Sequence, residues 1–293
     1  MRQALKKRLG LFDLALFGLV VFLIFVTLYP LYYVAINSVS NSLMVNRREV
    51  NFVPKGLNLE SYKIVLGDPM ILRAYANTLL YTSVGTAINI VFTAMCAYPL
   101  SIRSFFARKQ FTFFVVFTML FSGGLIPRYL VVRSLGMIDT IWALVLPTAV
   151  SAWYMFIMRT YFAGIPDSLR ESAFMDGAND IVVLVKIIFP LSMPVLAALT
   201  IFYSVGHWNS FFASLIYINS TKKYPLQIIL RNIVISHQLS AFDSDIGEGS
   251  DFLVGEQTIK YAVIMVSTLP ILFVYPFMQR HFAKGIQIGA VKG

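Results

Sequence analysis

Residues 170–194 read Arg-Glu-Ser-Ala-Phe-Met-Asp-Gly-Ala-Asn-Asp-Ile-Val-Val-Leu-Val-Lys-Ile-Ile-Phe-Pro-Leu-Ser-Met-Pro, and their first half is the most polar part of a hydrophobic chain. In that half, acidic and apolar residues recur at helical spacing and predict an amphipathic helix. Gly177 allows a turn, and Asn179-Asp180 is a good N-cap for a second helix that ends at Pro190. The segment therefore predicts two short helices at a membrane surface. They form either a docking knob or a plain interfacial anchor.

This segment resembles the EAA loop of ABC-importer permeases, whose pattern is Glu-Ala-Ala, three residues, Gly, and a later Ile-x-Leu-Pro. Residues 171–178 and 187–190 match that pattern, with Ser172 in place of the middle alanine and Phe189 in place of the leucine. The resemblance implies a pair of cytoplasmic coupling helices that sit in a cleft of a separate ATPase. The coupling residues it implies are Glu171, Ser172, Ala173, Asp176, Gly177, Ala178 and Pro190, with Glu171 facing a basic residue of the ATPase.

The composition excludes a soluble globular domain. Of the 293 residues, 58% are hydrophobic and 13% are charged, and the mean hydropathy is +0.73. These values are typical of a polytopic membrane protein. In such a protein a net charge of +10 indicates basic cytoplasmic segments rather than a nucleic-acid partner. The single cysteine, Cys96, excludes an intrachain disulfide.

Six apolar stretches are each long enough to cross a bilayer, which takes about 20 residues. The sequence therefore predicts an all-α membrane protein with spans at 11–36, 75–101, 111–131, 141–163, 190–218 and 259–278. No cleavage site follows the first apolar run, so it is predicted to be a retained span and not a signal peptide. Ser122-Gly123-Gly124 interrupts the third span. Such a break is tolerated where it is buried in protein or lines a cavity.

The distribution of basic residues predicts that both termini are cytoplasmic. Lys and Arg are nearly balanced between the two sides, but those at the N-terminus, at 102–110 and in the tail 279–293 lie in short segments, which carry most weight. This orientation places the coupling loop 164–189 in the cytoplasm and the loops 37–74 and 219–258 outside. The acidic part of the last loop, Asp243–Glu248, lacks the spacing of a calcium loop and is predicted to be solvated.

The chain also resembles maltose-type sugar permeases beyond the coupling loop. The matching residues are Trp208-Asn209, 223–226 (Lys-Tyr-Pro-Leu) and the C-terminal tail. The segment 121–127 is similar to the polysaccharide-type branch, which includes the second permease subunit of an alginate-oligosaccharide importer. The resemblance implies a type I ABC importer permease fold, a tail that contacts the ATPases through Gly285, Gly289 and Lys292, and an outer loop that reaches into the substrate-binding protein.

Polar residues within the predicted spans mark a candidate path for a polar solute. Polar groups are costly in lipid and usually face a bundle interior or a watery cavity, and aromatic rings can pack on sugar faces. The candidate path residues are Asn89, Tyr203, His207, Trp208 and Asn209. The alternative at each position is a hydrogen bond between helices or an interfacial anchor.

Three classes of function remain open on the sequence. The first is the transmembrane subunit of an ATP-driven oligosaccharide importer; since the chain contains no P-loop, ATP and magnesium would bind a partner. The second is an ion-coupled secondary transporter, which usually carries charged groups in mid-membrane, where this chain offers only His207. The third is an intramembrane enzyme, which the lack of a catalytic or metal-binding motif disfavours.

The first reading implies a set of partners. We expect a heterodimer with a second permease, two cytoplasmic ATPase subunits, an extracytoplasmic solute-binding protein, membrane lipid and an oligosaccharide, with no nucleic acid and no cofactor bound by this chain. The expected location is the bacterial inner membrane. The surplus of basic residues favours an acidic sugar of the alginate type only weakly, because most of it falls on the cytoplasmic side.

Overall fold

The computed structural model describes residues 10–243 and 257–273. Within these ranges the chain is built of helices and turns, without strands. It divides into two compact units, one containing the residues up to Asp68 together with Asn232–Thr268, the other containing Pro69–Arg231 and the residues from Leu269. The predicted all-α class is confirmed.

The first unit begins with the long apolar helix α1. Its helices are α1 (Leu11–Ser38), α2 (Ser42–Asn46), α3 (Glu60–Gly67) and most of the last described helix, Gln257–Phe273. A small core forms from Ile36, Val45 and Val50, with Tyr261 packed against it. The hydroxyls of Ser42 and Thr258 lie 2.9 Å apart.

The second unit is organised around α4, a helix of 33 residues. Several of its helices are short because a glycine, a proline or a polar capping residue interrupts the apolar sequence. They are α4 (Pro69–Ser101), α5 (Arg108–Leu120), α6 (Leu125–Ser134), α7 (Ile141–Val145), α8 (Ala152–Ala163), α9 (Asp167–Met175), α10 (Asp180–Val183), α11 (Phe189–Leu191), α12 (Met193–Trp208), α13 (Phe212–Tyr217) and α14 (Leu226–Asp243), whose second half lies in the first unit.

Two described helices are long and apolar enough to cross a membrane as single rods, Phe12–Ser38 and Pro69–Ser101. They contain the first and second predicted spans. Three bent pairs of helices raise the number to five if each pair is one span. The apolar helix Gln257–Phe273 coincides with most of the sixth predicted span, whose residues 274–278 lie outside the described ranges.

Some of the predicted spans are bent. The third predicted span consists of α5 and α6, which meet at 116°, and the break falls where Ser122-Gly123-Gly124 predicts it. Gly124 has a φ of +79°, a conformation that glycine adopts without penalty. The fourth predicted span bends by 55° before α8.

The fifth predicted span, 190–218, contains more than one helix. Its central helix α12 ends at Trp208, and α13 starts only at Phe212. A bend of 87° separates α11 from α12 at Ser192. The physical reason is local, since the polar residues Asn209 and Ser210 follow α12 directly and Pro194 in its first turn cannot continue the preceding helix.

The predicted outer loop 219–258 contains a helix in its described part, 219–243. It contains α14, which buries Leu226, Ile228 and Ile229. The prediction of a loop overlooked that Leu226, Ile229, Leu230 and Ile233 recur at the i, i+3, i+4, i+7 spacing of a helix. Asp243 ends α14, and the acidic residues 244–256 lie outside the described ranges.

Candidate coupling loop and translocation path

The predicted turn at Gly177 is present and ends α9. The Gly177 N–H donates to the carbonyl of Phe174 at 3.0 Å, and the Ala178 N–H donates to the carbonyl of Ala173 at 2.9 Å. These two bonds form a Schellman motif, which needs a left-handed residue after the helix. Gly177 supplies it with a φ of +81°. The glycine of the sequence pattern is therefore required by the backbone.

The second helix of the loop starts where the sequence predicts. The Asn179 side chain accepts from the Val182 N–H at 2.9 Å, a side-chain N-cap. The hydroxyl of Tyr98 on α4 donates to Asp180 Oδ1 at 3.0 Å. Because Asp180 lies in the first turn of α10, the start of this helix is fixed both by its cap and by α4.

The predicted end of this second helix at Pro190 is corrected. After α10 the chain passes through a π-helical turn, Leu184–Ile188, into α11, and Pro190 lies inside α11. Proline is tolerated there because the first positions of a helix need no N–H bond from it. The break comes at Ser192, after which α12 begins.

The loop has two chemically different sides. Ala173, Val183 and Leu184 are buried. Met175 and Ile181 are 88% and 72% exposed. Large apolar side chains are thus held in the open at the tips of a short helical hairpin, a composition that is typical of protein interfaces.

The buried side of the loop is part of the main core of the second unit. One cluster joins Ala173 and Val183 of the loop to residues of α4, α8 and α12, among them Ala97, Met155 and Leu199. Close-packed interiors transmit displacement because they have few voids to absorb it. The loop is therefore packed directly against α4, α8 and α12 through this one cluster.

The remaining predicted coupling residues have varied surroundings. Glu171 and Asp176 are exposed, and Glu171 forms no ion pair within the described ranges. The Ser172 hydroxyl donates to the carbonyl of Ser168 at 2.9 Å, and Ala178 packs against the core. The structure leaves Glu171 free to meet a charge on another chain. The predicted tail residues Gly285, Gly289 and Lys292 lie outside the described ranges.

Four of the five candidate path residues make contacts between elements of the second unit. Asn89 lies on α4 and contacts the segment between α7 and α8, whereas Tyr203, His207 and Trp208 lie on α12 and contact α4. Asn89 is fully buried, donates to the carbonyls of Thr148 and Ala149 at 2.6 and 2.9 Å, and bonds to His207 through Oδ1. The Tyr203 hydroxyl lies 2.7 Å from Thr93 Oγ1 and accepts from the Ser151 N–H at 3.1 Å.

These contacts assign Asn89, Tyr203 and His207 a role between helices, the alternative that the sequence left open. Trp208 is buried and packs edge-on against Tyr75 on α4 with ring centroids 5.7 Å apart. Contact of these residues with substrate stays a prediction.

Asn209 differs from the other four candidates because it is exposed in the break after α12. Its Oδ1 lies 3.5 Å from Gln227 Nε2. One turn further along α14, the guanidinium of Arg231 lies 5.5 Å from the ring centre of Phe211. Amides, an aromatic ring and an exposed guanidinium thus meet at the break, which is a combination suited to an acidic sugar.

Sequence reasoning missed Gln227 and Arg231 because it treated 219–258 as a loop, and it missed Phe211 because it treated 190–218 as one apolar span. The i, i+4 spacing of Gln227 and Arg231 within an apolar run was the signal that could have found them. The structure brings them to Asn209, which the sequence did identify.

A second feature that the sequence missed ties together two segments that the predicted orientation places on the outer side. Asp139, with a φ of +60°, accepts from the Lys223 ammonium at 2.8 Å, from the Ser220 hydroxyl at 2.6 Å, and from the backbone N–H groups of Asn219 and Ser220. The hydrogen bonds from Lys223 and then Ser220 hold the pKa of this carboxyl well below its usual range.

The same segment is held from α4 as well. Asn77 Nδ2 donates to the carbonyls of Lys222 and Tyr224 at 2.9 and 3.1 Å, and the Tyr81 hydroxyl donates to the carbonyl of Lys223 at 3.0 Å. Asp139 and α4 together fix the chain just before α14. We call Asp139 with Asn219, Ser220 and Lys223 the outer clamp.

No site for a metal ion is evident in the part of the chain that the structure describes, where no three His, Cys, Asp or Glu side chains come together. The binding of ATP and magnesium by a partner remains a prediction.

A protein-family model matches most of the chain. The family described as binding-protein-dependent transport system inner membrane component matches residues 69–288, a range that contains the coupling loop, the break after α12 and the outer clamp.

Curated relatives match nearly the whole chain. The polygalacturonan/rhamnogalacturonan transport system permease protein YtcP of Bacillus subtilis (strain 168) is 41% identical over 290 residues, covering 99% of this chain and 100% of the relative. Protein LplC of the same organism is 44% identical over 268 residues, covering 92% of this chain and 90% of the relative.

A solved structure agrees with the fold. A chain from the crystal structure of a bacterial ABC transporter involved in the import of the acidic polysaccharide alginate superposes with a TM-score of 0.85 at 30% identity, covering 96% of this chain and 100% of that one.

Proposed function

Because the chain belongs to the family of binding-protein-dependent transport system inner membrane components, we propose that it forms half of the membrane path through which an ATP-driven importer takes up an acidic oligosaccharide. Its homologues are permeases of sugar-importing ABC transporters, and the chain is a permease subunit of this kind. The proposal adds the coupling mechanism, the partners and the charge of the sugar.

The observation that carries the coupling mechanism is the two-sided loop. Met175 and Ile181 stand exposed at its tips, while Ala173 and Val183 belong to the core of α4, α8 and α12. On this proposal the exposed side sits in a cleft of a cytoplasmic ATPase. Closure of two ATPase subunits on ATP would move the loop, and the shared core would move the three helices between inward- and outward-facing arrangements.

The partners follow from the same mechanism. One chain of this size presents only part of a path, so a second permease completes it, and a binding protein delivers the sugar from outside. The outer segments before α14 are the surface proposed for that delivery. In support, a chain from the crystal structure of the alginate ABC transporter in complex with a pentasaccharide-bound periplasmic protein shares the fold at a TM-score of 0.52.

Two observations support an acidic sugar. One relative is named for transport of polygalacturonan/rhamnogalacturonan, and a similar solved structure is of an importer of the acidic polysaccharide alginate. These polysaccharides contain uronic acids. In this chain the exposed guanidinium of Arg231 stands over Phe211 beside Asn209 and Gln227. An arginine binds a carboxylate by two parallel hydrogen bonds, and the ring offers a face to the sugar.

The surroundings of His207 count against the alternative of an ion-coupled carrier, which has no other candidate group in the middle of a predicted span. His207 is bonded to Asn89, which in turn holds the chain before α8. A proton relay needs a group that exchanges protons with a path, whereas this imidazole is placed as a contact between α4 and α12.

Uptake by proteoliposomes separates the two functions. The complex of both permeases and the ATPase is reconstituted, and the binding protein loaded with labelled trigalacturonate is added outside. We expect uptake with ATP inside the vesicles and none with a proton or sodium gradient alone. Uptake that follows the ion gradient and ignores ATP would refute the proposed function.

A further inference from the structure

The carbonyl oxygen of Leu100 receives two guanidinium groups. Arg108 donates through Nε at 3.1 Å and Arg159 donates through Nε at 2.9 Å. Leu100 lies in the last turn of α4, where carbonyls have no partner in the helix. The two arginines come from α5 and α8, so three helices converge at one acceptor.

This arrangement places two positive charges side by side. Because both Nε atoms contact the same oxygen, they are no more than about 6 Å apart, a distance at which like charges repel. Neither guanidinium forms an ion pair with an acidic residue of the described ranges. Each has donors beyond the one that Leu100 uses. The pair therefore lacks a counter-charge and has hydrogen bonds to offer.

An apolar groove begins beside the pair. The Cζ atom of Arg159 lies 5.8 Å from the ring centre of Phe156, and Phe156 lines a groove of about 420 Å³. Its other lining residues are Trp153, Ile157, Thr160, Tyr161 and Val195. Trp153 is 64% exposed. The groove extends along α8 from Tyr161 in its last turn to Trp153 in its first.

We propose that this end of α8 binds one anionic phospholipid of the cytoplasmic leaflet, with its phosphate between Arg108 and Arg159 and an acyl chain in the groove. Planar guanidinium groups match the oxygens of a phosphate. Basic pockets between transmembrane helices on the cytoplasmic side bind anionic head groups. The predicted orientation puts the C-terminal end of α8 on that side, directly before the coupling loop.

The alternative is that the two arginines only cap α4. A cap needs donors near Leu100 but no lipid, so lipid retention separates the two readings. The variant that removes both head-group ligands is Arg108→Gln with Arg159→Gln. A matched control is Arg103→Gln with Lys109→Gln, which removes two positive charges from exposed positions of the same turn.

The test uses the complete complex in nanodiscs of phosphatidylcholine containing a minor fraction of phosphatidylglycerol. After extraction in mild detergent, native mass spectrometry counts the phosphatidylglycerol molecules that stay bound. We expect the wild type and the control to retain phosphatidylglycerol and the double arginine variant to lose it by about tenfold, since charge-assisted bidentate bonds are removed. Equal retention in all three, or equal loss in the control, would overturn the proposal.

A second measurement tests the proposal if the double arginine variant does not assemble. The thermal midpoint of the wild-type complex is compared in detergent with added phosphatidylglycerol or phosphatidylcholine. A rise with phosphatidylglycerol alone agrees with the proposal, and an equal rise with both lipids contradicts it.

Discussion

The imidazole of His207 on α12 lies so close to Gly85 on α4 that a Cβ at position 85 would come within 2.6 Å of the ring atoms Cε1 and Nε2. Real Cβ contacts are longer, so the glycine is what allows the two helices to approach here. The same imidazole is bonded to Asn89 one turn along α4, which prevents it from moving aside without losing that bond. The contact between α4 and α12 therefore depends on the absence of a Cβ at Gly85 and on the hydrogen bond between His207 and Asn89.

Gly85→Ala is expected to destabilise the permease by about 1–3 kcal/mol, the usual effect of overpacking. The measurement is the thermal midpoint of the purified complex in detergent. Gly206→Ala is the matched control, because a Cβ there meets nothing within 4 Å. Adding His207→Ala to Gly85→Ala should remove the clash, so the double variant should be no less stable than His207→Ala alone. A stable Gly85→Ala protein would contradict the close contact.

Asp139→Asn is expected to loosen the outer clamp and lower the thermal midpoint at neutral pH. The pKa of Asp139 in the folded protein is below the ordinary aspartate value of 3.8. The ionised carboxylate therefore contributes fully to the free energy of unfolding above pH 3.8, and this contribution is lost as the pH falls through the lower pKa of the folded protein. The difference in thermal midpoint between wild type and variant should therefore be constant from pH 7 to pH 5 and shrink below pH 4.

The control for the clamp is Lys222→Gln, which removes an exposed neighbouring charge, while Lys223→Gln should resemble Asp139→Asn. A gap that closes between pH 7 and pH 5 would show that another group is responsible.

Tyr98→Phe is expected to weaken the connection between α4 and the coupling loop. It removes one hydrogen bond to a carboxylate, worth about 1.5–3 kcal/mol, and leaves the core around the ring intact. We expect basal ATP hydrolysis to persist and its stimulation by the loaded binding protein to fall. Tyr161→Phe is the control, since that hydroxyl makes only a 3.5 Å contact with Leu191. Full stimulation in Tyr98→Phe would show that the bond carries no coupling.

Arg231→Gln is expected to raise the KM for an acidic oligosaccharide about tenfold or more, since a charge-assisted hydrogen bond contributes about 1.5–3 kcal/mol. Uptake of a neutral oligosaccharide, if the complex accepts one, should not change. Lys222→Gln removes the same charge from the outer side and should leave both values unchanged. An equal effect of the two substitutions would indicate general attraction of the anion and not a contact at Arg231.

The parts of the fold that the sequence predicts are those set by neighbouring residues. Gly177 predicts the end of α9, because the Schellman turn there needs a residue in the left-handed conformation. Asn179 predicts the start of α10, because its side chain can cap the first turn. The break at Ser122-Gly123-Gly124 is local in the same way. These features follow from backbone conformations and short hydrogen bonds that span only a few positions.

The parts that the sequence did not predict depend on residues distant in the chain. Nothing near Asp139 indicates that it will meet Lys223, and nothing near Gly85 indicates His207. The two short apolar runs around Asn209 have the composition of one span, and only the structure shows that they are separate helices. Arg231 became a candidate because α14 brings it to Phe211, a placement that depends on tertiary packing.

The most direct test of the account is ATP hydrolysis by the reconstituted complex carrying Gly177→Asp. Gly177 has a φ of +81° with nothing within 4 Å of an added Cβ, so aspartate strains the turn and adds a charge to the docking side. Gly136→Asp is the matched control, with a φ of +68°, equal free space around an added Cβ, and a place on the predicted outer side. We predict that Gly177→Asp inserts into the membrane but loses the ATPase or its stimulation by the loaded binding protein, while Gly136→Asp keeps both. Unchanged ATPase binding and stimulation in Gly177→Asp would contradict the assignment of this loop as the coupling element.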